Sequence, residues 1–420
     1  MNASLLGNRK VLVAHPRRHH LHHTAVAYQQ AKRLAGFLTS VYVARPRRLD
    51  SIARLPLGRV AMAARKLTEY HCPRLQADNV LISPDGLLAK LTMRCLGGVR
   101  FIEREGSIAG LAGKLCAEHG WVCHMPCLHA VEAFETCHGA GAPCVLEQYI
   151  GHRREGRDLM QIEHERWGIP FDAHAAEHLG FSPARIDSND RELELAAAVI
   201  VGSPFVAQTL KDQGVPAARI HIAQYGVELN HYRPQFNQRH ESEPLQIAFV
   251  GQVGLRKGIL YLLQAVKQLG EQVAHVHVYG QLMLPGKLLE PFEKYMTAHG
   301  HVPRSTLVDR MANCHAFALP SLWEGSSYAV YEAMAMGKPA IVTANTGSVI
   351  TDGVDGFVVP IRSADAIAEA ILAFREEARR QALATAAAEN VRRYDWPTYG
   401  RAMLKGLGIG DGGKRHPAID

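Results

Sequence analysis

The sequence predicts an α/β protein made of two Rossmann-like, doubly wound parallel-sheet domains that face each other across an interdomain cleft. Short apolar runs rich in β-branched residues alternate with longer helical patterns over nearly the whole chain. A polar, proline-containing stretch without periodicity, residues 230–246, divides this alternation in two. Buried strands separated by helices are typical of parallel sheets covered on both faces, and 420 residues are enough for two large domains.

Each strand and helix is predicted from the spacing of its apolar residues. In the first half, strands are predicted over residues 11–14, 37–43 and 199–202. In the second half, strands are predicted over residues 247–250, 276–279, 316–319, 340–343 and 357–359, with helices over 259–269, 328–336 and 364–375. We therefore place the domains at residues 1–235 and 236–395, and we expect the glycine-rich end, 409–420, to be flexible.

Composition and charge exclude several classes of protein. The chain has 47% apolar and 21% charged residues, no apolar run near the ~20 residues that span a bilayer, and no secretory signal pattern. We therefore expect a cytoplasmic protein. Residues 1–100 carry 17 Lys and Arg against 4 Asp and Glu, whereas the rest of the chain is net negative. This basic segment lacks a nucleic-acid-reading motif, so it predicts contact with an anionic ligand or the inner membrane face, or else a solvated basic surface.

Clusters of cysteine and histidine raise the question of a metal site. Five of the eight cysteines lie between Cys116 and Cys144, where Cys123 and Cys127 form a C-x3-C pair. No second pair of matching spacing accompanies it, so buried thiols that act as small apolar residues are favoured over zinc ligands. The histidines near the start of the chain favour a polar loop and helix start over a metal tract; they are His15, His19, His20, His22 and His23. We therefore predict no metal site.

A glycine-rich turn follows the first predicted strand of the second domain. The segment 247–258 contains a strand, a turn with Gly251, and then Arg256 and Lys257 at the start of a helix. A helix N-terminus offers free N–H groups and a positive dipole end, so this segment suits a phosphate group. Its spacing matches neither the dinucleotide fingerprint nor the P-loop. A tight turn with two solvated basic residues is the competing interpretation.

Two glutamates flank a Gly-Ser-Ser turn after the predicted strand 316–319. Glu324 lies on the loop, and Glu332 lies about one turn into the next helix. Ser327 is a favoured N-cap, so we expect the amides of residues 325–328 to point into the cleft. Both carboxylates can then accept hydrogen bonds from the hydroxyls of one sugar ligand. Taken alone, Glu332 also fits the common pattern of an acidic residue near a helix N-terminus.

These segments resemble the retaining glycosyltransferases of family 4, which have the GT-B fold. The motifs that carry the resemblance are FVGQVGLRKG, the E-x7-E element from Glu324 to Glu332 with AMAMGKP after it, and TGSVITDGVDGFVVP. Weaker support comes from QYGVELNHYRP, AAAVIVGSPFVAQTL and YDWPTYGRAMLKGL. The last of these looks like the family's closing helix, here residues 396–408, which packs back on the N-terminal domain.

The resemblance implies a role for each candidate site residue. Lys257 would bind the donor diphosphate, Glu332 the donor ribose, and Glu324 the transferred sugar. His129 stands about where the family has a histidine that contacts the sugar, although an ordinary core or loop histidine is an equal interpretation. The predicted catalytic residues are Glu324, Lys257 and His129, and the predicted donor-binding residues are Gly251, Arg256, Lys257, Gly325, Ser326, Ser327, Tyr328 and Glu332.

Several positions depart from the family pattern and bear on the donor. They are Gln252 in place of Arg, Ser326-Ser327 in place of Phe-Gly, Gln224 in place of Pro, and Glu228 in place of Asp. The first removes one phosphate cation, for which Arg256 can compensate, and the second leaves the donor sugar open. None of them removes Lys257 or the paired glutamates, so the resemblance to an active enzyme is kept.

The resemblance implies a nucleotide-sugar donor, a UDP- or GDP-sugar, and a glycan or lipid-linked acceptor used in cell-surface polysaccharide or glycolipid synthesis. The chain has no D-x-D motif, which favours a metal-independent reaction in which cations and helix N-termini stabilise the leaving diphosphate. No cofactor besides the donor is expected. By resemblance, the transfer would retain the anomeric configuration through front-face attack.

The acceptor side is expected in the N-terminal domain. His15 and Arg17 follow its first strand, and Glu105 lies on a plausible cleft loop. Two other functions compete with the glycosyltransferase: a sugar phosphorylase or nucleotide-sugar epimerase of the same fold, and a catalytically degenerate subunit that only binds a nucleotide-sugar. Nucleic-acid binding is not expected, because few aromatic residues accompany the basic segment.

Overall fold

A computed structural model describes residues 6–17, 20–44, 67, 70–83, 100–101 and 106–410 of the chain. Within these residues the chain forms two separate parallel sheets with helices packed against them. The predicted fold class is therefore confirmed. In the described part of the chain, no helix combines the length and the apolar character needed to cross a membrane.

The first sheet has eight described strands in the order β4-β3-β2-β1-β5-β6-β7-β8, and every pair is parallel. Its strands are β1 Val11–Ala14, β2 Leu34–Thr39, β3 Val80–Ile82, β4 Arg100–Phe101, β5 Val122–Pro126, β6 Cys144–Gln148, β7 Ala198–Val201 and β8 Ile220–Ile222. Its helices are α1 Leu21–Gln30, α2 Ile108–His119, α3 Val131–Gly139, α4 Arg153–Arg166, α5 Ala173–Leu179, α6 Pro183–Leu195 and α7 Pro204–Asp212. The strand order reverses between β1 and β5, so the loops after these strands diverge and leave a crevice.

The second sheet has six described strands in the order β11-β10-β9-β12-β13-β14, again all parallel. Its strands are β9 Leu245–Val250, β10 Ala274–Tyr279, β11 Met296–Gly300, β12 Ala316–Leu319, β13 Ala340–Thr343 and β14 Gly356–Val359. Its helices are α8 Ile259–Leu269, α9 Gly286–Leu289, α10 Arg304–Ala312, α11 Tyr328–Ala335, α12 Ala364–Arg375 and α13 Glu377–Asn390. Here the order reverses between β9 and β12, which places a second crevice after these two strands.

The predicted strand 37–43 is wrong at both ends, because the observed strand β2 spans Leu34–Thr39. The chain leaves the sheet at Ser40, whose amide donates a hydrogen bond of 3.3 Å to the carbonyl oxygen of Pro16 in the loop after β1. Continued apolar character beyond Ser40 is explained by Tyr42 and Val43, which are buried without belonging to a strand.

Trp323, on the loop after β12, ties the second domain to the first. The indole is fully buried and contacts the rings of Phe181 and Phe205, with centroid separations of 6.3 Å and 5.5 Å. Glycine is required where the indole meets α4, since a Cβ at Gly151 or Gly156 would lie 2.5 Å from its ring atoms. The loop after β12 is therefore inserted into the first domain rather than laid across it.

A buried carboxylate provides a second connection between the domains. Glu163 of α4 is fully buried, accepts a hydrogen bond of 2.7 Å from the hydroxyl of Tyr261 on α8, and pairs with Arg362. A buried carboxylate is costly unless it is paired and hydrogen-bonded, and here both partners come from the other domain. Moving the domains apart would therefore separate Glu163 from both of its partners.

Helix α14, Trp396–Gly406, follows the second domain but packs on α1 of the first. The Tyr399 hydroxyl hydrogen-bonds Thr24 at 2.7 Å, and a Cβ at Gly400 would approach Ala27 to 2.8 Å. The residues just before α14 also contact the interdomain connection, the segment between β8 and β9. Here the amide of Val227 donates a hydrogen bond of 2.9 Å to the carbonyl oxygen of Tyr394. The chain therefore crosses between the domains twice, and the two crossings are in contact.

We expect Gly226→Ala to lower the melting temperature by separating these two crossings. A Cβ at Gly226 would lie 2.3 Å from the backbone nitrogen of Trp396, and backbone atoms cannot move aside as a side chain can, so the cost should be about 1–3 kcal/mol. Gly139→Ala is the control, because no heavy atom lies within 4 Å of its added Cβ. Equal melting temperatures for the two variants, measured by differential scanning fluorimetry, would contradict the close packing of these segments.

Candidate functional site

A cavity of about 1050 Å³ lies between the domains at the carboxyl ends of their strands. The first domain and the interdomain connection contribute His20, His71 and Glu228, and the second domain contributes Arg304 and Glu332. Open α/β sheets bind ligands at this end of the strands, at the point where the strand order reverses. The cavity is therefore the candidate binding cleft.

The loop after β9 places two cations beside Glu324. Arg256 donates hydrogen bonds to the carbonyl oxygen of Trp323 at 3.1 Å and to Glu324 Oε2 at 2.9 Å, and Lys257 Nζ pairs with the same oxygen. The loop can turn this sharply because Gly258 adopts φ +69°, where a Cβ would lie 1.9 Å from the carbonyl oxygen of Pro320. The predicted phosphate loop and the first predicted glutamate are thus in direct contact.

The charges of this cluster do not balance. Burial alone would raise the pKa of Glu324, but Arg256 and then Lys257 outweigh it and lower the pKa to about 2. Burial lowers the pKa of Lys257, and the Glu324 carboxylate offsets this effect only in part. Two cations share one carboxylate at the start of α8, so an additional anion would stabilise both cations there.

Glu332 lies on α11 and faces the cavity. Its Oε1 accepts a hydrogen bond of 2.6 Å from Arg304, whose guanidinium also bonds the hydroxyl of Tyr232. The helix begins at Tyr328, and Ser327 at its N-cap makes no side-chain capping bond. Glu332 and Tyr328 both line the cavity, so the second predicted glutamate is placed on a surface that a ligand can reach.

The Gly-Ser-Ser turn packs against the first domain. The carbonyl oxygen of Gly325 accepts a hydrogen bond of 2.5 Å from the Ser203 hydroxyl, and a Cβ at Gly325 would lie 1.7 Å from the carbonyl oxygen of Tyr149. Ser326 and Ser327 are buried, and the Ser326 hydroxyl lies 3.1 Å from that of Tyr331. The two serines that replace the family's Phe-Gly therefore lie at the domain interface.

Two predicted acceptor-side residues, His15 and Arg17, lie after β1 close to the predicted catalytic residue His129, which follows β5. His15 Nδ1 donates to the carbonyl oxygen of Arg17 at 2.7 Å, and the His15 ring meets His129 edge to face at 5.3 Å. Burial lowers the pKa of His15 to about 4 and also lowers the pKa of His129. Both imidazoles are therefore neutral near pH 7, and either can exchange hydrogen bonds with a hydroxyl. Glu105 lies outside the described residues.

A buried hydrogen-bond network behind His20 escaped the sequence analysis. Glu147 on β6 is fully buried; it bonds His20 and accepts hydrogen bonds from His124 at 3.2 Å and from the Tyr399 hydroxyl at 2.8 Å. Burial would raise the pKa of Glu147, but His20 and then His124 outweigh it and hold the pKa well below the ordinary value. The His20 ring lies 4.5 Å from that of Tyr225 and lines the cavity.

Of the histidines near the start of the chain, interpreted from sequence as a polar loop and helix start, His20, His22 and His23 lie at the start of α1. His15 directly follows β1, and His19 lies outside the described residues. His20 and His22 are buried, and His23 stacks on Trp396 with ring centroids 3.8 Å apart. A signal was available in the sequence, because Glu147 directly follows the apolar residues 144–146 of a fully buried strand. Such a residue requires buried donors, and histidine is one of the few side chains that can supply them.

The ion pair of Glu324 predicts a pH dependence of stability. Its pKa in the folded protein lies below the ordinary 4.5, so the pair stabilises the fold above about pH 5 and loses its contribution as the pH falls towards about 2. We expect the melting-temperature difference between the wild type and Glu324→Gln to be largest at neutral pH, corresponding to about 3 kcal/mol, and to shrink on acidification. Glu369→Gln, at an exposed position of α12, is the control. A difference that stays constant from neutral to acid pH would argue against the pair.

Part of this chain is similar to known proteins. Residues 244–377 match the family model described as glycosyl transferases group 1. The chain is 27% identical over 281 residues to a D-inositol 3-phosphate glycosyltransferase of Xylanimonas cellulosilytica, covering 57% of this chain and 66% of that protein. It is 26% identical over 185 residues to the putative colanic acid biosynthesis glycosyltransferase WcaL of Escherichia coli, covering 40% and 45%. The chain thus spans less than two thirds of the length of these relatives.

Solved structures share the fold over nearly the whole chain. Anabaena HepE in complex with UDP-glucose superimposes with a TM-score of 0.59 at 15% identity, covering 95% of this chain and 99% of that one. Sucrose-phosphate synthase from Thermosynechococcus elongatus gives a TM-score of 0.60 at 16% identity, covering 94% and 98%. The chain therefore has the GT-B fold, and its residues 244–377 form a group 1 glycosyltransferase domain.

Proposed function

We propose that this protein is a retaining glycosyltransferase. It transfers a sugar from a nucleotide-sugar, a UDP- or GDP-sugar, to a glycan or lipid-linked acceptor in cell-surface polysaccharide or glycolipid synthesis. The observation that carries the proposal is the unbalanced charge of Arg256 and Lys257 over Glu324, at a helix N-terminus inside the group 1 domain. This arrangement suits the diphosphate of a nucleotide-sugar better than a neutral ligand.

When the donor binds, its phosphate oxygens take over some of the contacts that Arg256 and Lys257 make with the Glu324 carboxylate. Lys257 and Arg256 then stabilise the charge that develops on the diphosphate as the glycosidic bond breaks. Glu324, released from one or both cations, can accept hydrogen bonds from hydroxyls of the transferred sugar. The same cluster thus holds the carboxylate in place before the donor arrives and supplies the cations afterwards, without a metal ion or a further cofactor.

Glu332 binds the donor ribose in this proposal. Its carboxylate lines the cavity and is oriented by Arg304, so it can accept hydrogen bonds from the two ribose hydroxyls. A helix acid that served only the dipole of α11 would not need a guanidinium partner from α10. The ion pair with Arg304 therefore favours a binding role over a purely local one.

The acceptor binds on the first domain, near His15, Arg17, His129 and His20. Neutral imidazoles at His15 and His129 suit acceptor hydroxyls, and the leaving phosphate takes the acceptor's proton in the front-face mechanism. Relatives support a lipid-linked or polysaccharide acceptor, because one is named as acting on a diphospho-undecaprenol sugar in Campylobacter jejuni and another is assigned to colanic acid synthesis. The basic charge of residues 1–100 suits such an anionic acceptor at the inner membrane face.

A donor screen tests the proposal first. We expect one class of nucleotide-sugar among UDP-, GDP- and ADP-sugars to raise the melting temperature in a concentration-dependent way. The same donor should then be consumed in transfer to lipid-linked acceptors, with no requirement for inorganic phosphate and no loss of activity in EDTA. Stabilisation without hydrolysis or transfer over a broad acceptor panel would instead support a degenerate binding subunit. Gln252 and Ser326-Ser327, which depart from the family pattern, are the reason to consider this alternative. A requirement for phosphate would support a phosphorylase.

Substitutions at the two charged positions test the site. Lys257→Ala and Glu332→Ala should each reduce turnover by about two orders of magnitude or more, because they remove stabilisation of the leaving diphosphate and of the bound ribose. Circular dichroism should show that both variants remain folded. Lys287→Ala and Glu369→Ala are matched controls at exposed positions of the same domain and should keep wild-type turnover. Near-normal transfer by either site variant would refute the role assigned to that residue.

A further inference from the structure

Four buried cysteines form a thiol cluster at the end of the first sheet opposite the cleft. Cys116 lies in the last turn of α2 and Cys137 in the last turn of α3, while Cys123 and Cys144 lie at the amino ends of β5 and β6. The Sγ atoms of Cys116, Cys123 and Cys137 all lie within 4.8 Å of one another. Cys144 is the direct strand partner of Cys123 and is also buried.

The spacing of these cysteines repeats along the chain. Six residues separate Cys116 from Cys123, and six separate Cys137 from Cys144. Each pair joins the end of a helix to the start of the next parallel strand, so two successive helix–strand units bring their pairs to one place. The C-x3-C pair noted in the sequence shares only Cys123 with the thiol cluster, because Cys127 lies beyond the opposite end of β5.

We infer that the thiol cluster binds one Zn²⁺ ion, with Cys116, Cys123 and Cys137 as ligands and Cys144 as the fourth. Sulfurs around a tetrahedral zinc at 2.3 Å lie about 3.8 Å apart. The Sγ atoms of Cys116, Cys123 and Cys137, which lie within 4.8 Å of one another, allow this spacing with only small side-chain movements, whereas Cys144, on the strand beside Cys123, would have to bring its sulfur closer. A donor set of sulfur alone selects a soft or borderline ion over Mg²⁺ or Ca²⁺, which take oxygen ligands. An iron–sulfur cluster would need wider separations, because several iron and sulfide atoms lie between its thiolates.

Zinc binds cysteine as the thiolate. Binding of Zn²⁺ would therefore release one proton to solvent for each thiolate formed. Since Cys116, Cys123 and Cys137 are fully buried, the ion would be acquired as the domain folds, and it would join α2 and β5 to α3 and β6.

Metal analysis of the full-length protein tests this inference. Protein purified from zinc-containing medium and washed with EDTA should hold about one Zn²⁺ per chain by mass spectrometry of the elements. Cys123→Ser and Cys137→Ser should each lower this content at least tenfold. Cys127→Ser is the matched control: it replaces a buried cysteine of the same domain, outside the thiol cluster, and should retain the metal.

A second measurement covers the case in which the serine variants do not fold. Wild-type protein produced in cobalt-supplemented medium should show the thiolate charge-transfer and tetrahedral d–d absorption of Co²⁺, as should Cys127→Ser. Wild-type protein without zinc or cobalt, with all eight cysteines reacting as free thiols after denaturation, would overturn the inference. A disulfide within the thiol cluster would also overturn it, as would an unchanged zinc content in a folded Cys123→Ser variant. None of these outcomes depends on the glycosyltransferase activity.

Discussion

Three consecutive residues, Trp323, Glu324 and Gly325, connect the position of the first domain to the electrostatics of the second. The indole of Trp323 is enclosed by the first domain, the carboxylate of Glu324 holds two cations, and the carbonyl oxygen of Gly325 accepts a hydrogen bond from Ser203. The backbone between them is short, so these contacts cannot change independently. Any ligand that displaces Glu324 from its cations must therefore act on a loop that the first domain holds at both ends.

The sequence predicted those parts of the site that depend on neighbours along the chain. The candidate phosphate loop and the paired glutamates could be predicted because strand, glycine turn and helix start follow one another within a few residues. The observed elements β9, α8, β12 and α11 place Lys257, Glu324 and Glu332 at the carboxyl ends of their strands as that order requires. The ion pair between Lys257 and Glu324 required only one further fact, that the loops after β9 and β12 lie side by side. They do so because these two strands are parallel neighbours in the sheet.

The contacts that sequence reasoning missed join residues that are distant along the chain. Glu147 meets Tyr399 across 252 positions, and no local pattern marks either as the other's partner. The thiol cluster was missed for another reason: the spacing within each cysteine pair suggests no known metal motif, and only the stacking of two helix–strand units shows that the pairs coincide. The contact between Trp323 and Gly151 likewise depends on how the domains pack, which the spacing of apolar residues along the chain does not reveal.

The hydrogen bond from Tyr399 to Glu147 has a consequence for biosynthesis. The strands and helices of the first sheet are complete by residue 222, yet one partner of its buried carboxylate belongs to a helix translated much later. A nascent chain on the ribosome therefore carries an incompletely satisfied charge in this domain while the entire second domain is being synthesised. During that interval Glu147 has His20, Thr24 and His124 as partners but lacks the Tyr399 hydroxyl, so the first domain reaches its final packing only after α14 has emerged.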